Sequence, residues 1–206
     1  IMEQPHKDQV VIITGGAGGI GSRMAKAFAD EGAKVVIAGR DQAKLDNIAG
    51  GIENDGNTCV ALPCDVTDPE QVEKLVADTV AQFGRLDVLV NNAALFIFSS
   101  VEDATAEMWD RTAAVNIKGH ALMTKWALPM MKAAGGGSIV FQGSISSFLG
   151  QPNCATYATT KGAIVQLARN CAYDLAKYSI RCNSICAGTI ETPISASERE
   201  SHGWSY

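Results

Sequence analysis

The 206-residue chain lacks the long apolar runs that a membrane-spanning protein needs. No stretch reaches the roughly 18 continuous apolar residues of a membrane-spanning helix, and no charged start is followed by an apolar signal region. We therefore expect a protein of the cytoplasm that does not bind the membrane. The last residues show no closing strand pattern, which leads us to expect that a C-terminal portion is missing.

Positive charge and metal-binding patterns are also scarce. The 17 Lys and Arg residues are outnumbered by 22 Asp and Glu residues, so a nucleic-acid-binding function, which needs a basic surface, is excluded. His6, His120 and His202 are scattered, and the six cysteines form no Cys-x-x-Cys pair. We predict no metal site, and we interpret the cysteines as small buried side chains in a reducing compartment.

Short apolar runs alternate with longer amphipathic segments along the whole chain. Hydrophobic residues make up 47% and charged residues 19%, which is typical of a globular protein. We predict strands over residues 10–14, 34–38, 59–62, 86–90, 138–142 and 180–185. We predict helices over residues 20–31, 42–52, 69–83, 104–131 and 156–178. Pro129 is expected to bend or end the fourth helix.

The strand segments are rich in Val and Ile and do not alternate apolar with polar residues. Such strands are typical of a parallel sheet that helices cover on both faces. The sequence therefore predicts one α/β domain over residues 1–206, with a doubly wound parallel sheet in three α/β/α layers. Ligands bind such sheets at the carboxyl ends of the strands, near the switch point.

A glycine-rich segment follows the first predicted strand and opens the first predicted helix. Its sequence, residues 14–21, is TGGAGGIG. Gly16, Gly18 and Gly21 match G-x-G-x-x-G, whereas Gly15, Gly19 and Gly21 match the variant T-G-x-x-x-G-x-G. Either spacing lets the backbone approach a pyrophosphate at a helix N-terminus, so we predict a dinucleotide site. The alternative is a structural glycine turn without a ligand.

The residues after the second strand bear on the choice of cofactor. Gly39 cannot bond the adenosine ribose hydroxyls of NAD, whereas Arg40 is suited to the 2′-phosphate of NADP. NADP is therefore the favoured cofactor. NAD remains the alternative because a small rotation of the turn would bring Asp41 to the ribose.

Tyr157 and Lys161 are four residues apart in a predicted helix, so both side chains lie on one face. A nearby ammonium lowers the pKa of a tyrosine, which can then exchange a proton with an alcohol or a ketone. Ser144, after the fifth strand, is suited to binding the reacting oxygen. Asn116 is a poor helix former in mid-helix and is suited to holding a water in a proton relay. A surface-turn serine and a solvent-facing asparagine are the alternatives.

These motifs together resemble the short-chain dehydrogenase/reductase family in order and in spacing. The resemblance covers nearly the whole chain and rests on residues 14–21, Asp65, residues 91–93, Asn116, Ser144, Tyr157 and Lys161. It implies a Rossmann-like fold and an NAD(P)-dependent oxidoreductase that transfers a hydride between the nicotinamide and a secondary alcohol or ketone. It also implies a homo-oligomer, a dimer or tetramer formed by the long helices.

The resemblance also implies residue roles. Tyr157 would be the acid–base, Ser144 would orient the substrate, Lys161 would lower the tyrosine pKa and bind the nicotinamide ribose, and Asn116 would support a water relay. The cofactor would contact Gly15, Gly19, Ile20, Gly21, Arg40, Asp65, Val66, Asn91, Ala93, Tyr157, Lys161, Gly188, Ile190 and Thr192.

The chain departs from the family pattern at three places. Ala94 replaces the glycine of Asn-Asn-Ala-Gly, and Ala187 replaces the proline of Pro-Gly, so the loop near the nicotinamide is less restricted. Family members normally continue through a substrate lid and a seventh strand. We therefore expect the sheet to lack its last strand.

Three functions are compatible with these residues. The first is the dehydrogenase or reductase acting on a small alcohol or carbonyl substrate. The second is a non-catalytic dinucleotide-binding sensor or scaffold, whose mark would be a broken catalytic set. The third is an NAD-dependent epimerase or dehydratase, which would act on a nucleotide sugar without net redox change. The apolar segment 95–98 has two equal interpretations, as the lining of a substrate entrance or as ordinary packing.

Overall fold

The computed structural model describes residues 4–194 of the chain. Its centre is a six-stranded sheet in the order β3-β2-β1-β4-β5-β6, and all neighbouring strands run parallel. The strands are β1 (Val10–Thr14), β2 (Lys34–Gly39), β3 (Thr58–Pro63), β4 (Val88–Asn91), β5 (Gly137–Gln142) and β6 (Ile180–Ile185). The predicted doubly wound parallel sheet is confirmed. Residues 195–206, which bear on the expected absence of a last strand, lie outside the described residues.

Six α-helices connect the strands: α1 (Gly19–Asp30), α2 (Gln42–Asn54), α3 (Pro69–Phe83), α4 (Ala106–Ala113), α5 (His120–Ala133) and α6 (Ala155–Leu175). A π-helical segment (Ala114–Gly119) joins α4 to α5, and single 3₁₀ turns follow β5 (Ile145–Ser147) and α6 (Ala176–Tyr178). The outer limits of the predicted elements agree with these limits to within two residues, except that the predicted helix over residues 156–178 also includes the 3₁₀ turn that follows α6.

The predicted helix over residues 104–131 differs from the structure in two ways. It is divided by the π-helical segment, and it continues through Pro129 to Ala133. Of the two effects expected of Pro129, bending or ending the helix, the ending is wrong, since α5 continues to Ala133. The neighbours Ala127 and Met131 are fully buried, so tertiary packing outweighs the backbone hydrogen bond that the proline removes.

Side-chain caps fix where the helices on both sides of the sheet begin. The Asp41 carboxylate accepts a hydrogen bond from the backbone N–H of Lys44 at the start of α2. The Asp68 carboxylate accepts from the N–H groups of Glu70 and Gln71 at the start of α3, where Pro69 occupies the first helical position. Such caps satisfy N–H groups that have no partner within the helix.

The sheet buries apolar side chains on both faces. Along β1, Val10 and Ile12 belong to the core beneath α3, α5 and α6, whereas Val11 and Ile13 belong to the core beneath α1 and α2. All four side chains are fully buried. Because successive strand side chains point to opposite faces, a strand covered on both sides must be apolar throughout. This explains the absence of alternation in the sequence.

In the sheet, β2 and β3 lie on one side of β1, and β4, β5 and β6 lie on the other. The direction in which the chain adds strands therefore reverses between β3 and β4. The crevice at the carboxyl ends of β1 and β4 is therefore the switch point of the sheet, where this fold class binds ligands. Within residues 4–194, no helix is long and apolar enough to cross a membrane.

Candidate active site

A cleft of about 1050 Å³ opens at the carboxyl ends of the strands, at the switch point. Most of the sequence-predicted site residues line it: Gly15, Gly19, Ile20, Gly21, Arg40, Asp65, Val66, Ala93, Ser144, Tyr157, Lys161, Gly188, Ile190 and Thr192. Asn91 and Asn116 do not line it; both are fully buried beside it. The structure thus brings together the segments that follow all six strands, which are far apart in sequence.

The loop between β1 and α1 is packed so closely that three of its glycines, Gly15, Gly16 and Gly21, leave no space for a side chain. Gly15 has a φ of +65°, a conformation that favours glycine. A Cβ atom on Gly21 would lie 2.2 Å from the carbonyl oxygen of Gly15, and one on Gly16 would lie 2.5 Å from Cβ of Ile37. Gly16 packs against β2 and does not line the cleft, so the structure favours the T-G-x-x-x-G-x-G spacing.

Thr14 and Asn92 join this glycine loop to the loop after β4. The Thr14 hydroxyl accepts hydrogen bonds from the N–H groups of Asn92 and Ala93, each at 3.0 Å. The Asn92 amide Nδ2 donates to the carbonyl oxygens of Thr14 and Gly15 at 2.9 and 3.2 Å. These bonds fix the two walls of the cleft relative to each other.

The first asparagine of the pair, Asn91, faces away from the cleft, contrary to expectation. Its Nδ2 donates to the Thr124 hydroxyl at 3.2 Å, within the helix layer. Asn91 is the last residue of β4, and side chains at successive strand positions point to opposite faces. Asn92, not Asn91, therefore lines the cleft together with Ala93.

Two cations and one carboxylate lie at the β2 end of the cleft. Arg40, Asp41 and Lys44 all line it. The Asp41 carboxylate caps α2 and also lies 3.1 Å from Nζ of Lys44. These contacts lower the pKa of Asp41, mainly through the hydrogen bond from the Lys44 backbone N–H. Asp41 is thus engaged within its own helix, while the guanidinium of Arg40 lies at the cleft.

Lys161 is a buried cation below the middle of the cleft. Its side chain is 1% exposed. Its Nζ donates to the backbone carbonyl of Gln142 at 2.6 Å and lies 5.5 Å from the centre of the Tyr157 ring. Burial lowers the pKa of Lys161 to about 8. The spacing in α6 therefore places the ammonium beside the tyrosine, as predicted.

The loop after β5 positions Ser144 and is anchored at both ends. The Ser144 hydroxyl accepts from the N–H of Ser146 at 3.1 Å. The hydroxyl of Ser147 accepts from the Ser144 N–H and donates to the backbone carbonyl of Lys161 at 2.8 Å. Ser147 therefore ties the Ser144 turn to α6. The Ile145 N–H donates to the carbonyl of Ala187, which fixes the turn to the loop after β6.

Asn116 lies in the π-helical segment and binds the loop after β4. Its Oδ1 accepts from the Leu95 N–H at 2.7 Å, and its Nδ2 donates to the Leu95 carbonyl and to the Thr160 hydroxyl, both at 2.9 Å. Both amide hydrogens are therefore used in positioning the cleft wall. A π-helical turn within an α-helix is frequent at functional sites.

Sequence reasoning did not single out several residues that build the site. Lys44 and Gln151 line the cleft, the Gln142 backbone carbonyl accepts from Lys161, and Ser147 anchors the turn that carries Ser144. The spacing of Lys44, one helical turn after Arg40, is the signal that would have indicated its place. The contacts of Gln142 and Ser147 join distant segments and leave no local pattern. In residues 4–194, no three metal-ligating side chains are grouped closely enough to hold a metal ion.

The fold and the glycine loop define a dinucleotide-binding α/β protein with a Tyr–Lys pair in its cleft. Residues 9–203 match the family model described as short chain dehydrogenase. The chain therefore belongs to the short-chain dehydrogenase/reductase family, whose members are NAD(P)-binding oxidoreductases. The resemblance stated from the motifs is confirmed.

Named relatives agree with this assignment. The chain is 37% identical over 192 residues to dehydrogenase/reductase SDR family member 4 of Homo sapiens, covering 93% of this chain and 69% of that protein. It is 39% identical over 202 residues to trans-4-hydroxycyclohexanecarboxylate dehydrogenase of Sinomonas cyclohexanicum, covering 95% of this chain and 78% of the relative.

A solved structure gives the same result. The 3-ketoacyl-(acyl-carrier-protein) reductase of Brucella melitensis, crystallised in complex with NADH, superimposes with a TM-score of 0.87 at 34% identity. The match covers 91% of this chain and 78% of that protein.

Proposed function

We propose that this protein is an NADP(H)-dependent oxidoreductase that interconverts secondary alcohols and ketones, with Tyr157 as the acid–base. The main support for this proposal is that Tyr157 and the buried Lys161 lie next to each other in the same cleft as the glycine loop. The backbone around Gly15 and Gly21 leaves no space for side chains. That loop fits a pyrophosphate at the N-terminus of α1, so the residues present suit a dinucleotide.

The chemistry is divided between the cofactor and the chain. When bound, the nicotinamide supplies or accepts the hydride. The Tyr157 hydroxyl donates its proton to the carbonyl oxygen during reduction and removes a proton from the alcohol during oxidation. The Lys161 ammonium favours the phenolate by its positive charge. The Gln142 carbonyl holds that ammonium in place.

Ser144 and Asn116 complete the proposed site. The Ser144 hydroxyl donates to the Ser146 hydroxyl at 3.1 Å, and on substrate binding it can turn its hydrogen to the reacting oxygen instead. Asn116 holds the loop after β4 through Leu95 and reaches α6 through Thr160. Both hydrogens of the Asn116 amide are used in those contacts. In the proposed relay, the water would donate a hydrogen bond to a remaining acceptor position on an oxygen of Asn116.

The contacts of Asp41 support NADP as the preferred cofactor. Its carboxylate is engaged by the α2 backbone and by Lys44, so the acidic group that would bind the ribose of NAD is already partly occupied. Arg40 and Lys44 supply positive charge at the same end of the cleft, where the 2′-phosphate of NADP would lie. The name of the Sinomonas relative describes oxidation of a secondary alcohol, which supports the proposed substrate class.

Replacement of Tyr157 by Phe tests the proposal. We expect ketone reduction with NADPH to fall by about 10²- to 10⁴-fold, because the proton donor is lost. Titration of nicotinamide fluorescence should show that NADPH still binds. Tyr173→Phe is the matched control, since Tyr173 lies in the same helix and is 87% exposed. A Tyr157→Phe protein with unchanged turnover would exclude the proposed proton transfer.

A further inference from the structure

A wall of aromatic rings lies beside the proposed acid–base. The ring of Phe96 is 4.5 Å from the ring of Tyr157, centre to centre, with an angle of 80° between the ring planes. The ring of Phe98 lies 5.6 Å from Phe96 in an edge-on arrangement. Phe96 also lines the cleft. We call Phe96, Phe98 and Tyr157 the aromatic wall.

Packing of the fold does not account for the position of Phe96. Within residues 4–194, neither Phe96 nor Phe98 belongs to the two buried cores, and both rings are only half-buried. A large aromatic side chain is ordinarily buried for its own stabilising effect. Here the ring of Phe96 instead forms part of the surface of a cleft beside a reacting group.

Further apolar side chains line the cleft. They are Leu95 and Ile145, and also Ile190 and Ile194, which remain 46% and 48% exposed. Of the charged lining residues besides Lys161, Arg40, Asp41 and Asp65 lie on the loops after β2 and β3, Lys44 lies in the first turn of α2, and Arg111 lies in α4. Phe96 and its neighbour Leu95 therefore give Tyr157 an apolar wall, while Ser144, Ser146 and Gln151 make other parts of the lining polar.

We infer that the substrate is a ring-bearing secondary alcohol or ketone, alicyclic or aromatic, whose ring packs on Phe96 while its oxygen is bonded by Tyr157. A rigid ring offers a flat apolar face to an aromatic side chain and has little conformational freedom to lose on binding. An open aliphatic chain of the same size lacks both advantages. This inference rests on the proposed function, which supplies the reaction.

Paired ketones of equal carbon number test the inference on the intact protein. Cyclohexanone and 2-hexanone are compared by kcat/KM with NADPH, and acetophenone is compared with 2-octanone. We expect the ring ketone of each pair to be preferred by about ten-fold or more. Turnover of the open-chain ketones at the same or a higher rate would overturn the inference while leaving the proposed function in place.

Variants assign the preference to Phe96. In Phe96→Leu we expect the ratio of the two kcat/KM values to fall toward one, because the ring is removed but apolar volume is kept. Phe148→Leu is the control: its side chain is 64% exposed and does not line the cleft, and its ratio should not change. The ratio cancels any general loss of activity caused by the contact between Phe96 and Tyr157. An unchanged ratio in Phe96→Leu would overturn the role of Phe96.

A different result would count against the proposed function itself. If NADPH binds but none of the four ketones is reduced, and none of the corresponding alcohols is oxidised with NADP⁺, both proposals fail together. That result is distinguishable from equal turnover of ring and chain ketones, which removes only the inference. The kcat/KM ratios of the wild-type protein test the inference even if Phe96→Leu does not fold.

Discussion

Lys161 is a cation that the fold removes almost completely from water. Its Nζ is bonded to the Gln142 carbonyl, and burial lowers its pKa to about 8 from an ordinary value of 10.5. Burial disfavours the charged form of a lysine. The fold therefore keeps a destabilising buried charge next to Tyr157, the proposed acid–base, and such perturbed groups are common at functional sites.

The pH dependence of stability follows from that buried lysine. Between pH 8 and about 10, the unfolded chain binds a proton on Lys161 that the folded chain has released. The free energy of unfolding contributed by Lys161 should therefore rise with pH, by about 1.4 kcal/mol per pH unit at most. Lys161→Met removes this contribution. Urea unfolding of both proteins at pH 8 and pH 9.5 checks it; parallel pH profiles for the two proteins would contradict it.

Arg40 is the residue on which the proposed preference for NADP rests. Arg40→Gln should weaken NADPH binding by about ten-fold or more, because a charge-assisted contact to the 2′-phosphate is lost, and should leave NADH binding nearly unchanged. Fluorescence titration with each cofactor measures the two affinities. Lys74→Gln is a control, since Lys74 lies in α3 and pairs with Asp78. Equal weakening of NADPH and NADH would point away from a 2′-phosphate contact.

At the scale of elements, glycines differ in whether a larger residue could replace them. The glycine at the start of α1 has no space for a side chain, whereas the glycines within α2 do. Gly21 of α1 lies against the Gly15 carbonyl, but a Cβ on Gly50 or Gly51 of α2 would meet nothing within 4 Å. Gly21, Gly50 and Gly51 all lie within helices, so sequence position alone does not show which of them can be replaced. The distinction is made by what packs on each helix.

Two alanine substitutions measure this distinction. Gly50→Ala should stabilise the protein by about 0.5–1 kcal/mol, because alanine restricts the unfolded chain and favours the helix. Gly21→Ala should destabilise the protein and weaken dinucleotide binding, since its Cβ would overlap the Gly15 carbonyl. Thermal unfolding and NADPH titration give both quantities. Unchanged binding in Gly21→Ala would argue against the glycine loop as the pyrophosphate site.

The π-helical segment shows a second effect at this scale. It lies where α4 would continue into α5, and it carries Asn116. The amide of Asn116 joins this segment to Leu95 and Thr160, and so to the loop after β4 and to α6. A helix over residues 104–131 could be predicted from periodicity, but the local widening could not, because it depends on contacts with two other segments.

For the whole molecule, the carboxyl ends of all six strands contribute loops to a single cleft. Charge is unevenly placed around it, with Lys161 at its base and a neutral His120 just behind. His120 is fully buried and bonds the Ala93 carbonyl at 2.8 Å. Burial, and then the nearby Lys161, lower the pKa of His120 to about 3. That residues 1–206 form a single domain stays a prediction.

His120 should make the whole protein sensitive to acid. Its folded pKa lies below the ordinary value of 6.5, so the stability it contributes is present above pH 6.5 and is lost as the pH falls toward 3. At pH 5 the loss is about 2 kcal/mol. His120→Gln removes the titration and should lose less stability between pH 7 and pH 5. Denaturant unfolding at both pH values measures this, and an identical loss in both proteins would rule it out.

The sequence by itself determined the features that local spacing controls. The strand–helix alternation, the doubly wound sheet, the glycine loop and the common face of Tyr157 and Lys161 all follow from periodicities of a few residues. The order of the motifs along the chain was sufficient to indicate the family, which the comparisons confirm. No folded coordinates were needed for these conclusions because each depends on residues that are neighbours in sequence.

Only the tertiary structure decided the contacts that join distant segments. It decided that Asn92 and not Asn91 faces the glycine loop, that Asp41 is engaged by α2, that Gln142 holds Lys161, and that Phe96 lies against Tyr157. Each of these depends on strand pairing and helix packing across tens of residues. Such pairings are selected by the burial of the whole core, so no local pattern in the chain records them.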